Sequence, residues 1–435
     1  MPTAHFSNYH EVKDYLYGLR YRGAKYGIKR MQRFAEVLGH PERKFPIIHV
    51  AGTNGKGSTC AMLESIYRQG GLKTGLFTSP HLVFQGERIQ VNRQILNHDL
   101  ILQYTNELKE TADTLAKKDA DDHPTFFEFM TAMAFLHFQR ESVDIGIFET
   151  GLGGRLDSTN VVIPEIAVIT SISLDHVNIL GDTVEKIAME KGGIIKDKKP
   201  VVLGNLPREA EKVIREIAEA RSAPLYSIRE RFNNGTEDYP QTNLHGVYQR
   251  YNAATARLVY DLLREKFPLS DDHVEEGLQT VKWPGRWEEH SIDAKTLILD
   301  SSHNPEGAEM LARNLEKLVH TTGHKPVVLA GTLGEFRAEV LMPVVARYAR
   351  EIILLRPNQP RACNFEVLEK YIPKAYEGEI RHAEVKDIFP FPGFCSVGEE
   401  GDTLVATGTI YLIGEILEAL TYDLPVEEQS LQDLL

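Results

Sequence analysis

Short apolar runs alternate with helical patterns along most of the chain, and this alternation constrains the fold more than any other feature. Strands buried on both faces read as short apolar runs, and parallel neighbours need a long crossover, usually a helix. The pattern therefore predicts an α/β protein with largely parallel sheets. The predicted strands are 45–51, 72–78, 143–148, 165–170, 200–203, 296–299, 326–329, 352–355 and 403–407, and the predicted helices are 58–69, 126–140, 183–194, 208–221, 251–266, 305–319, 337–350 and 410–420.

The alternation is interrupted once, at Trp283-Pro-Gly-Arg-Trp287, and then begins again. The chain has 435 residues, about three times the usual length of a single domain. We therefore predict a large N-terminal α/β domain, residues 1–290, and a smaller C-terminal α/β domain, residues 291–435, with the boundary near 288–296.

Composition excludes several classes of protein. The 42% hydrophobic and 26% charged residues are those of an ordinary globular chain. A net charge of −13 argues against a general nucleic-acid binder. Three scattered cysteines predict neither a disulfide framework nor a zinc site, and favour a reducing compartment. We find no apolar segment in the first thirty residues and no long apolar run elsewhere, so we predict a cytoplasmic protein without a signal peptide or membrane span.

The segment Val50-Ala-Gly-Thr-Asn-Gly-Lys-Gly-Ser-Thr59 lies between a predicted strand and a predicted helix. Its glycines let backbone N–H groups surround a phosphate at the positive end of the helix. Lys56 can reach the outer phosphates, and Ser58 or Thr59 can offer a hydroxyl to Mg²⁺. The segment is not a standard Walker A loop, because Gly57 separates Lys56 from Ser58. The alternative is a glycine-rich turn with a solvated lysine. The candidate ATP contacts are Asn54, Gly55, Lys56, Gly57, Ser58 and Thr59.

This variant loop resembles the ATP loop of folylpolyglutamate synthases and dihydrofolate synthases, a branch of the Mur ligase superfamily. The resemblance extends over about residues 15–420 and includes motifs in the family's order. They are Thr78-Ser-Pro-His-Leu82, Phe127-Glu128 with Thr131-Ala132, Glu149-Thr-Gly-Leu-Gly-Gly-Arg-Leu-Asp-Ser-Thr-Asn160, Leu174-Asp-His176, Glu190-Lys-Gly-Gly-Ile194, Tyr251-Asn-Ala-Ala-Thr-Ala256, Trp283-Pro-Gly-Arg286, Asp300-Ser-Ser-His-Asn-Pro305 and Thr407-Gly-Thr-Ile-Tyr-Leu412.

The resemblance implies a P-loop-type ATPase and folate-binding domain, followed by a Rossmann-like glutamate ligase domain. It implies a ligase that phosphorylates a carboxylate with ATP and lets the amine of L-glutamate attack the acyl phosphate. The substrates would be small molecules, namely ATP, L-glutamate, and folate or dihydropteroate, and the protein is expected to be a monomer. The catalytic residues it implies are Lys56, His176, Lys191, Asp300 and His303.

Glu149 and His176 follow two predicted strands, at the edge where open α/β sheets bind ligands. Imidazole is an unusual ligand for Mg²⁺, so composition alone favours His176 as a general base. The resemblance instead assigns both to a metal site with Ser58 and Ser79. It also implies that Lys191 is carbamylated by CO₂ and holds a second Mg²⁺, with K⁺ as a further candidate cation. The alternative for Lys191 is a solvated helix charge beside Glu185 and Glu190.

Further contacts are implied by the resemblance alone. Asn252, Arg286 and Asp300 match ATP contacts, whereas Arg286 has the alternative of an interdomain ion pair. Two departures from the family pattern stand in the C-terminal part, at Ser301-Ser302 and at Glu335-Phe-Arg337. The folate contacts it implies are Lys25, Tyr26, Gly27, Ile28, Thr125, Phe126, Phe127, Glu128, Leu156, Asp157 and Ser158, and the two phenylalanines can equally belong to the core.

Three other functions are alternatives to this one, and the sequence disfavours each of them. A Mur-type ligase for a peptidoglycan nucleotide or another carboxylate usually carries an additional N-terminal domain, and the ATP loop here begins at Gly52. A P-loop ATPase of another class, such as a transporter or motor, is disfavoured by the short loop and by the motif Asp300–Pro305. An inactive nucleotide-binding module is disfavoured by the intact Lys56, Glu149, His176 and Lys191.

Overall fold

The computed structural model describes residues 5–20, 27–232 and 236–421. The strands are β1 Ile47–Ala51, β2 Thr74–Phe77, β3 Ile89–Val91, β4 Gln94–Ile95, β5 Ile145–Glu149, β6 Ile166–Ser171, β7 Val201–Asn205, β8 Leu225–Ser227, β9 Arg286–Ile292, β10 Lys295–Asp300, β11 Val327–Ala330, β12 Glu351–Leu355, β13 Glu379–Ala383 and β14 Thr403–Thr407. The helices are α1 Tyr9–Arg20, α2 Lys29–Val37, α3 Lys56–Gln69, α4 His98–Lys118, α5 Phe126–Arg140, α6 Val177–Leu180, α7 Val184–Gly192, α8 Arg208–Ala220, α9 Ile228–Arg231, α10 Gln249–Leu263, α11 Asp271–Gln279, α12 Pro305–Thr322, α13 Glu335–Tyr348, α14 Phe365–Lys370, α15 Val385–Ile388 and α16 Ile410–Thr421.

The first sheet has eight strands in the order β4-β3-β2-β5-β1-β6-β7-β8. Its strands pair in parallel except at the β2–β3 and β3–β4 pairs, which are antiparallel. Every residue of β1, β5 and β6 is buried, which explains their nearly continuous apolar sequence. The neighbours β2, β5, β1 and β6 carry their carboxyl ends to one edge, where the chain continues into loops rich in glycine, serine and acidic residues.

The second sheet has six strands in the order β13-β12-β11-β14-β10-β9. Its pairs are parallel except for the hairpin of β9 and β10. Apolar clusters cover both faces, one including Leu311, Leu341 and Val345 and the other including Leu299, Leu412 and Ile413. The expected α/β class, with two mostly parallel sheets, is confirmed.

The chain forms two compact units, one around each sheet. Each unit consists of several stretches of the chain, so no single boundary in the sequence separates them. The second unit comprises residues 81–84, 244–249 and 282–435, and the rest of the chain forms the first. A boundary at 288–296 would divide the β9–β10 hairpin, which is held by antiparallel pairing. The second unit begins before this hairpin because β9 pairs with β10 and is an edge strand of the second sheet. The Trp-Pro-Gly-Arg interruption ends at the first residue of β9.

Helix α4 is the largest element that the sequence pattern did not predict. Its buried residues, including Ile101, Tyr104 and Leu108, recur at helical spacing, and Asn97 caps it by accepting a hydrogen bond from Leu100 N at 2.9 Å. Polar residues separate these apolar positions, so no apolar run marks the helix. Among the described residues no helix is long and apolar enough to cross a membrane.

Candidate functional site

The phosphate loop lies between β1 and α3, and hydrogen bonds fasten it to the end of β6. Thr53 N donates to Ser171 O at 2.8 Å, and Thr170 Oγ1 donates to Asn54 O at 2.6 Å. Ser171 Oγ accepts from Asn54 N at 3.0 Å. The backbone of the loop is therefore held in place by a neighbouring strand before any ligand binds.

Two glycines of this loop occupy positions without room for a side chain. A Cβ at Gly52 would lie 1.9 Å from Thr170 Oγ1, and a Cβ at Gly55 would lie 2.4 Å from Asn252 Oδ1. Gly55 also has φ of +79°, a conformation that favours glycine. Asn252, on the first turn of α10, is thus brought directly against the loop, although some two hundred residues separate them in sequence.

Lys56, Ser79 and Glu149 meet at the carboxyl ends of the adjacent strands β1, β2 and β5. The carboxylate of Glu149 is only 4% exposed, its Oε2 accepts from Ser79 N at 3.2 Å, and its Oε1 lies 3.9 Å from Lys56 Nζ. Lys56 Nζ also donates to Thr53 O at 3.1 Å. A buried carboxylate beside a phosphate loop is a suitable ligand for a hard cation.

The residues proposed with Glu149 as metal ligands carry donors whose chemistry can suit a magnesium ion. Ser58 is buried in the first turn of α3, and the adjacent Thr59 Oγ1 is buried without a hydrogen-bond partner within the described ranges. His176 has φ of +49° and stands immediately before α6. Its backbone N–H donates to Asp175 Oδ1 at 2.9 Å. No group of three or more His, Cys, Asp or Glu residues suited to a metal occurs in the described part of the chain.

Lys191 does not occupy a solvated helix surface. Its side chain lies near the end of α7, the residue is 4% exposed, and Nζ donates to Gly52 O at 2.7 Å. The neighbouring Glu190 pairs with Arg155, whose Nη2 lies 2.8 Å from Glu190 Oε1. The alternative of an exposed lysine beside acidic neighbours is therefore wrong.

In the second unit, Asp300 ends β10 with its carboxylate enclosed. It is 1% exposed, Oδ1 accepts from Ser302 N and Oγ at 3.0 and 2.5 Å, and Oδ2 accepts from Tyr248 OH at 3.0 Å. Arg286 is the register partner of Asp300 across the β9–β10 hairpin. His303 Nδ1 lies 2.8 Å from Ser301 O. Sequence reasoning missed Tyr248, because no local pattern links it to an acid fifty-two residues later.

The Glu335-Phe-Arg337 departure begins α13. Glu335 Oε1 accepts from Lys370 Nζ at 2.6 Å and from Tyr371 OH at 2.8 Å. These bonds join α13 to α14, so Glu335 has a structural role within the second unit.

The implied folate contacts fall into different environments. Lys25 and Tyr26 lie outside the described residues, and Gly27 and Ile28 immediately precede α2. Thr125 and Glu128 form a capping box at the start of α5, and Glu128 Oε2 accepts from Arg30 Nε at 2.6 Å. The polar atoms of this pair are thus already used to build the helix terminus.

The two phenylalanines at the start of α5 differ in exposure. Phe126 is buried, with its ring beside Tyr17 and below the guanidinium of Arg88. Phe127 is half-buried, with its ring centroid 5.8 Å from that of Phe77. Only Phe127 therefore presents part of its ring for contact with a ligand.

Asp157 is engaged within its own loop. Its Oδ2 accepts from Leu152 N at 2.8 Å, and its Oδ1 accepts from Thr159 N and Oγ1 at 3.0 and 2.6 Å. Complete burial raises the pKa of this carboxyl, although these hydrogen bonds favour its charged form. Ser158 Oγ lies 2.6 Å from Thr131 Oγ1, and Leu156 is half-buried. Asp157 and Ser158 thus shape the loop after β5.

Comparison with known proteins adds a family to this geometry. Residues 50–269 match the family model of the Mur ligase middle domain. The chain is 41% identical over 336 residues to the dihydrofolate synthase/folylpolyglutamate synthase of Bacillus subtilis, covering 72% of this chain and 77% of that protein. It is 31% identical over 438 residues to the folylpolyglutamate synthase of Lacticaseibacillus casei, covering 95% and 99%.

The fold is also similar to solved structures. The structure of Escherichia coli FolC in complex with DHPP and ADP superposes with a TM-score of 0.82 at 28% identity, covering 96% of this chain and 98% of that one. The similarity therefore includes both sheets.

Proposed function

Because this chain belongs to the dihydrofolate synthase/folylpolyglutamate synthase family of Mur ligases, we propose that it joins L-glutamate to folates and to dihydropteroate at the expense of ATP. The observation that carries the proposal is the cluster at the phosphate loop. Lys56 and the buried Glu149 stand 3.9 Å apart there, and Lys191 contacts the carbonyl of Gly52 at the beginning of the same loop.

The reaction proceeds in two transfers. A carboxylate oxygen of the folate attacks the γ-phosphorus of ATP, which forms an acyl phosphate and releases ADP. The amine of glutamate then attacks the acyl carbon, loses a proton, and expels phosphate as the amide forms. The loop N–H groups and Lys56 stabilise charge on the transferred phosphoryl group. Asn252, Arg286, Asp300 and His303 are assigned to ATP.

Ser58, Ser79, Glu149 and His176 would hold Mg²⁺. When bound, Mg²⁺ neutralises phosphate charge and polarises the phosphorus–oxygen bonds. Glu149 is the one carboxylate of this set, so we assign a second anion to Lys191. Its neutral amine adds to the carbon of CO₂ and loses a proton to give a carbamate, which supplies oxygen ligands. Two Mg²⁺ ions are proposed, and K⁺ is proposed only as a replaceable additional cation.

The residues proposed for folate fall into two groups, those that keep exposed surface for a ligand and those that are buried or hydrogen-bonded within the protein. Phe127 and Leu156 keep partly exposed apolar surface, and together with Lys25, Tyr26, Gly27 and Ile28 they remain the proposed contacts. Thr125, Glu128 and Asp157 instead support the shape of the site through their internal hydrogen bonds, as do Ser158 and the buried Phe126. Residues 1–290 and 291–435 keep their proposed functions, which are ATP and folate binding for the first range and glutamate ligation for the second. The compact unit that contains the second range also includes residues 81–84, 244–249 and 282–290.

The deciding assay is glutamate-dependent ADP release, measured separately with dihydropteroate and tetrahydrofolate. Turnover with both substrates is expected, and turnover with tetrahydrofolate alone would restrict the enzyme to folylpolyglutamate synthesis. ADP release that needs neither glutamate nor a folate would favour a P-loop ATPase of another class. Glutamate-dependent release with a different carboxylate would favour another Mur-type ligase. Replacing K⁺ by Na⁺ in the same assay tests the additional cation.

Three general properties remain predictions. They are a monomeric state, a cytoplasmic location, and the absence of nucleic-acid and membrane partners. Size-exclusion chromatography with light scattering tests the first, and cell fractionation tests the second. Retention on immobilised DNA or lipid vesicles at physiological salt would contradict the third.

A further inference from the structure

The turn at residues 300–302 is held by hydrogen bonds from both sides. Within the turn, Ser302 donates to Oδ1 of Asp300 through its backbone N and its hydroxyl. The other carboxylate oxygen, Oδ2, accepts from Tyr248 OH at 3.0 Å. Tyr248 is thus the long-range partner of Oδ2, and together with Ser302 it holds the orientation of the Asp300 carboxylate.

Tyr248 lies in a short segment that joins the second unit between two stretches of the first. This segment comprises residues 244–249, and Val247 N within it donates to Asn314 Oδ1 of α12 at 3.2 Å. Burial, followed by the charge of Asp300, raises the pKa of Tyr248 well above its ordinary value. The phenol therefore stays protonated at physiological pH and remains a hydrogen-bond donor.

The other segment that enters the second unit nearby contacts the same turn. Gly285 O accepts from Ser301 N and from Ser301 Oγ, both at 3.2 Å, and Gly285 N donates to Glu288 Oε2 at 2.8 Å. Residues 244–249 and the beginning of 282–435 thus both attach to residues 300–301.

We propose that Tyr248 is a positioning residue, which orients the Asp300 carboxylate for its contact with ATP and ties the connecting segment 244–249 to that carboxylate. This inference rests on one part of the proposed function, the binding of ATP. It does not depend on the transfer of glutamate. Tyr248 itself need not touch the nucleotide. Its loss removes the bond that holds Oδ2 of Asp300, so that the carboxylate is held only at Oδ1, by Ser302.

The test compares Tyr248→Phe with Tyr260→Phe. Tyr260 OH donates to Leu269 O at 2.7 Å in the first unit, so both changes remove one buried phenolic hydrogen bond and keep the ring. We expect both variants to lose similar stability in urea unfolding. Only Tyr248→Phe should raise KM for ATP about tenfold, the size expected for a hydrogen bond to a charged group, with a smaller change in kcat. Equal KM values in the two variants would overturn the proposal.

Two additional measurements separate this inference from the proposed function. Affinity for an ATP analogue, measured by calorimetry without glutamate or folate, should fall in Tyr248→Phe and not in Tyr260→Phe, whether or not the wild type shows ligase turnover. Hydrogen exchange at the Ser302 amide should accelerate in Tyr248→Phe alone. Should Tyr248→Phe fail to fold, Ser302→Ala removes the hydroxyl bond to the same carboxylate and should weaken analogue binding too. Unchanged analogue affinity in the folded variant would contradict the positioning role.

Discussion

Lys191 Nζ donates a hydrogen bond of 2.7 Å to the backbone carbonyl of Gly52, which joins the end of α7 to the first residue of the phosphate loop. The two residues are 139 positions apart in sequence. An amine buried at this place does not act as a solubilising surface charge. The contact therefore brings the residue proposed for carbamylation to the beginning of the phosphate loop.

The first prediction concerns Lys191. Lys191→Ala should lose most activity, because it removes the proposed second anion near the phosphates, and formate or acetate should restore part of it. The matched control is Lys196→Ala, which removes a lysine bonded to Asn160 and should not respond to formate. Activity is measured as glutamate-dependent ADP release, and intact mass under neutral conditions should detect the added CO₂. An unmodified lysine with full activity in CO₂-free buffer would contradict the proposal.

Lys56 is the subject of the second prediction. Lys56→Ala should reduce kcat roughly 10²- to 10³-fold, as expected for the loss of one preorganised group that stabilises transition-state charge. Lys73→Ala serves as control, since Lys73 pairs with Glu141 on a more exposed surface of the same unit. Thermal unfolding of both variants should resemble that of the wild type. Nearly normal turnover of Lys56→Ala would refute the phosphate-loop assignment.

A third prediction separates backbone strain from the displacement of a neighbour. Gly55 and Gly71 have φ of +79° and +84°, but a Cβ at Gly71 would meet nothing within 4 Å. Each alanine variant should lose about 1 kcal/mol of stability from the left-handed conformation. Only Gly55→Ala must displace Asn252, so only it should reduce kcat/KM for ATP, by roughly tenfold to hundredfold. Equal activity of the two variants would show that Asn252 does not need its observed position.

The fourth prediction is a dependence of stability on pH. Burial raises the pKa of Glu415 to about 7, with a further contribution from Glu418, although Asn358 N donates to its Oε1 at 2.6 Å. This pKa is higher in the folded than in the unfolded chain. The contribution of the Glu415 carboxyl to the free energy of unfolding is therefore fully present below pH 4.5 and is lost as pH rises through 7.

Glu415→Gln removes the titrating carboxyl, and with it the decrease in the free energy of unfolding between pH 4.5 and 7. The variant should resemble the wild type near pH 5 and be more stable at pH 8, by at most about 3 kcal/mol. Urea unfolding at the two pH values provides the measurement, and Glu366→Gln, at an exposed glutamate of α14, provides the control. A difference from the wild type that is the same at both pH values would show that Glu415 is not the titrating group.

Local sequence was sufficient for the class of fold and for most strands of the two sheets. Apolar runs marked β1, β5 and β6 within about two residues of their observed bounds, because these strands are buried on both faces and exclude polar residues. Helix α5 begins and ends where predicted, since its capping box lies within four consecutive residues. The phosphate loop was equally readable, because strand, glycines, lysine and helix follow one another directly.

Other features depended on residues far apart in the chain. The segment 81–84 joined the second unit without any change in composition. The burial of Lys191, the approach of Asn252 to Gly55, and the bond from Tyr248 to Asp300 each join residues more than fifty positions apart. Spacing along the sequence carries no information on such pairs, because their distance is set by how strands are ordered in a sheet and how loops pack at its edge. The sequence by itself determined most of the buried strands and the chemistry of the loop, whereas the tertiary structure decided which side chains lie close enough to that loop to act with it.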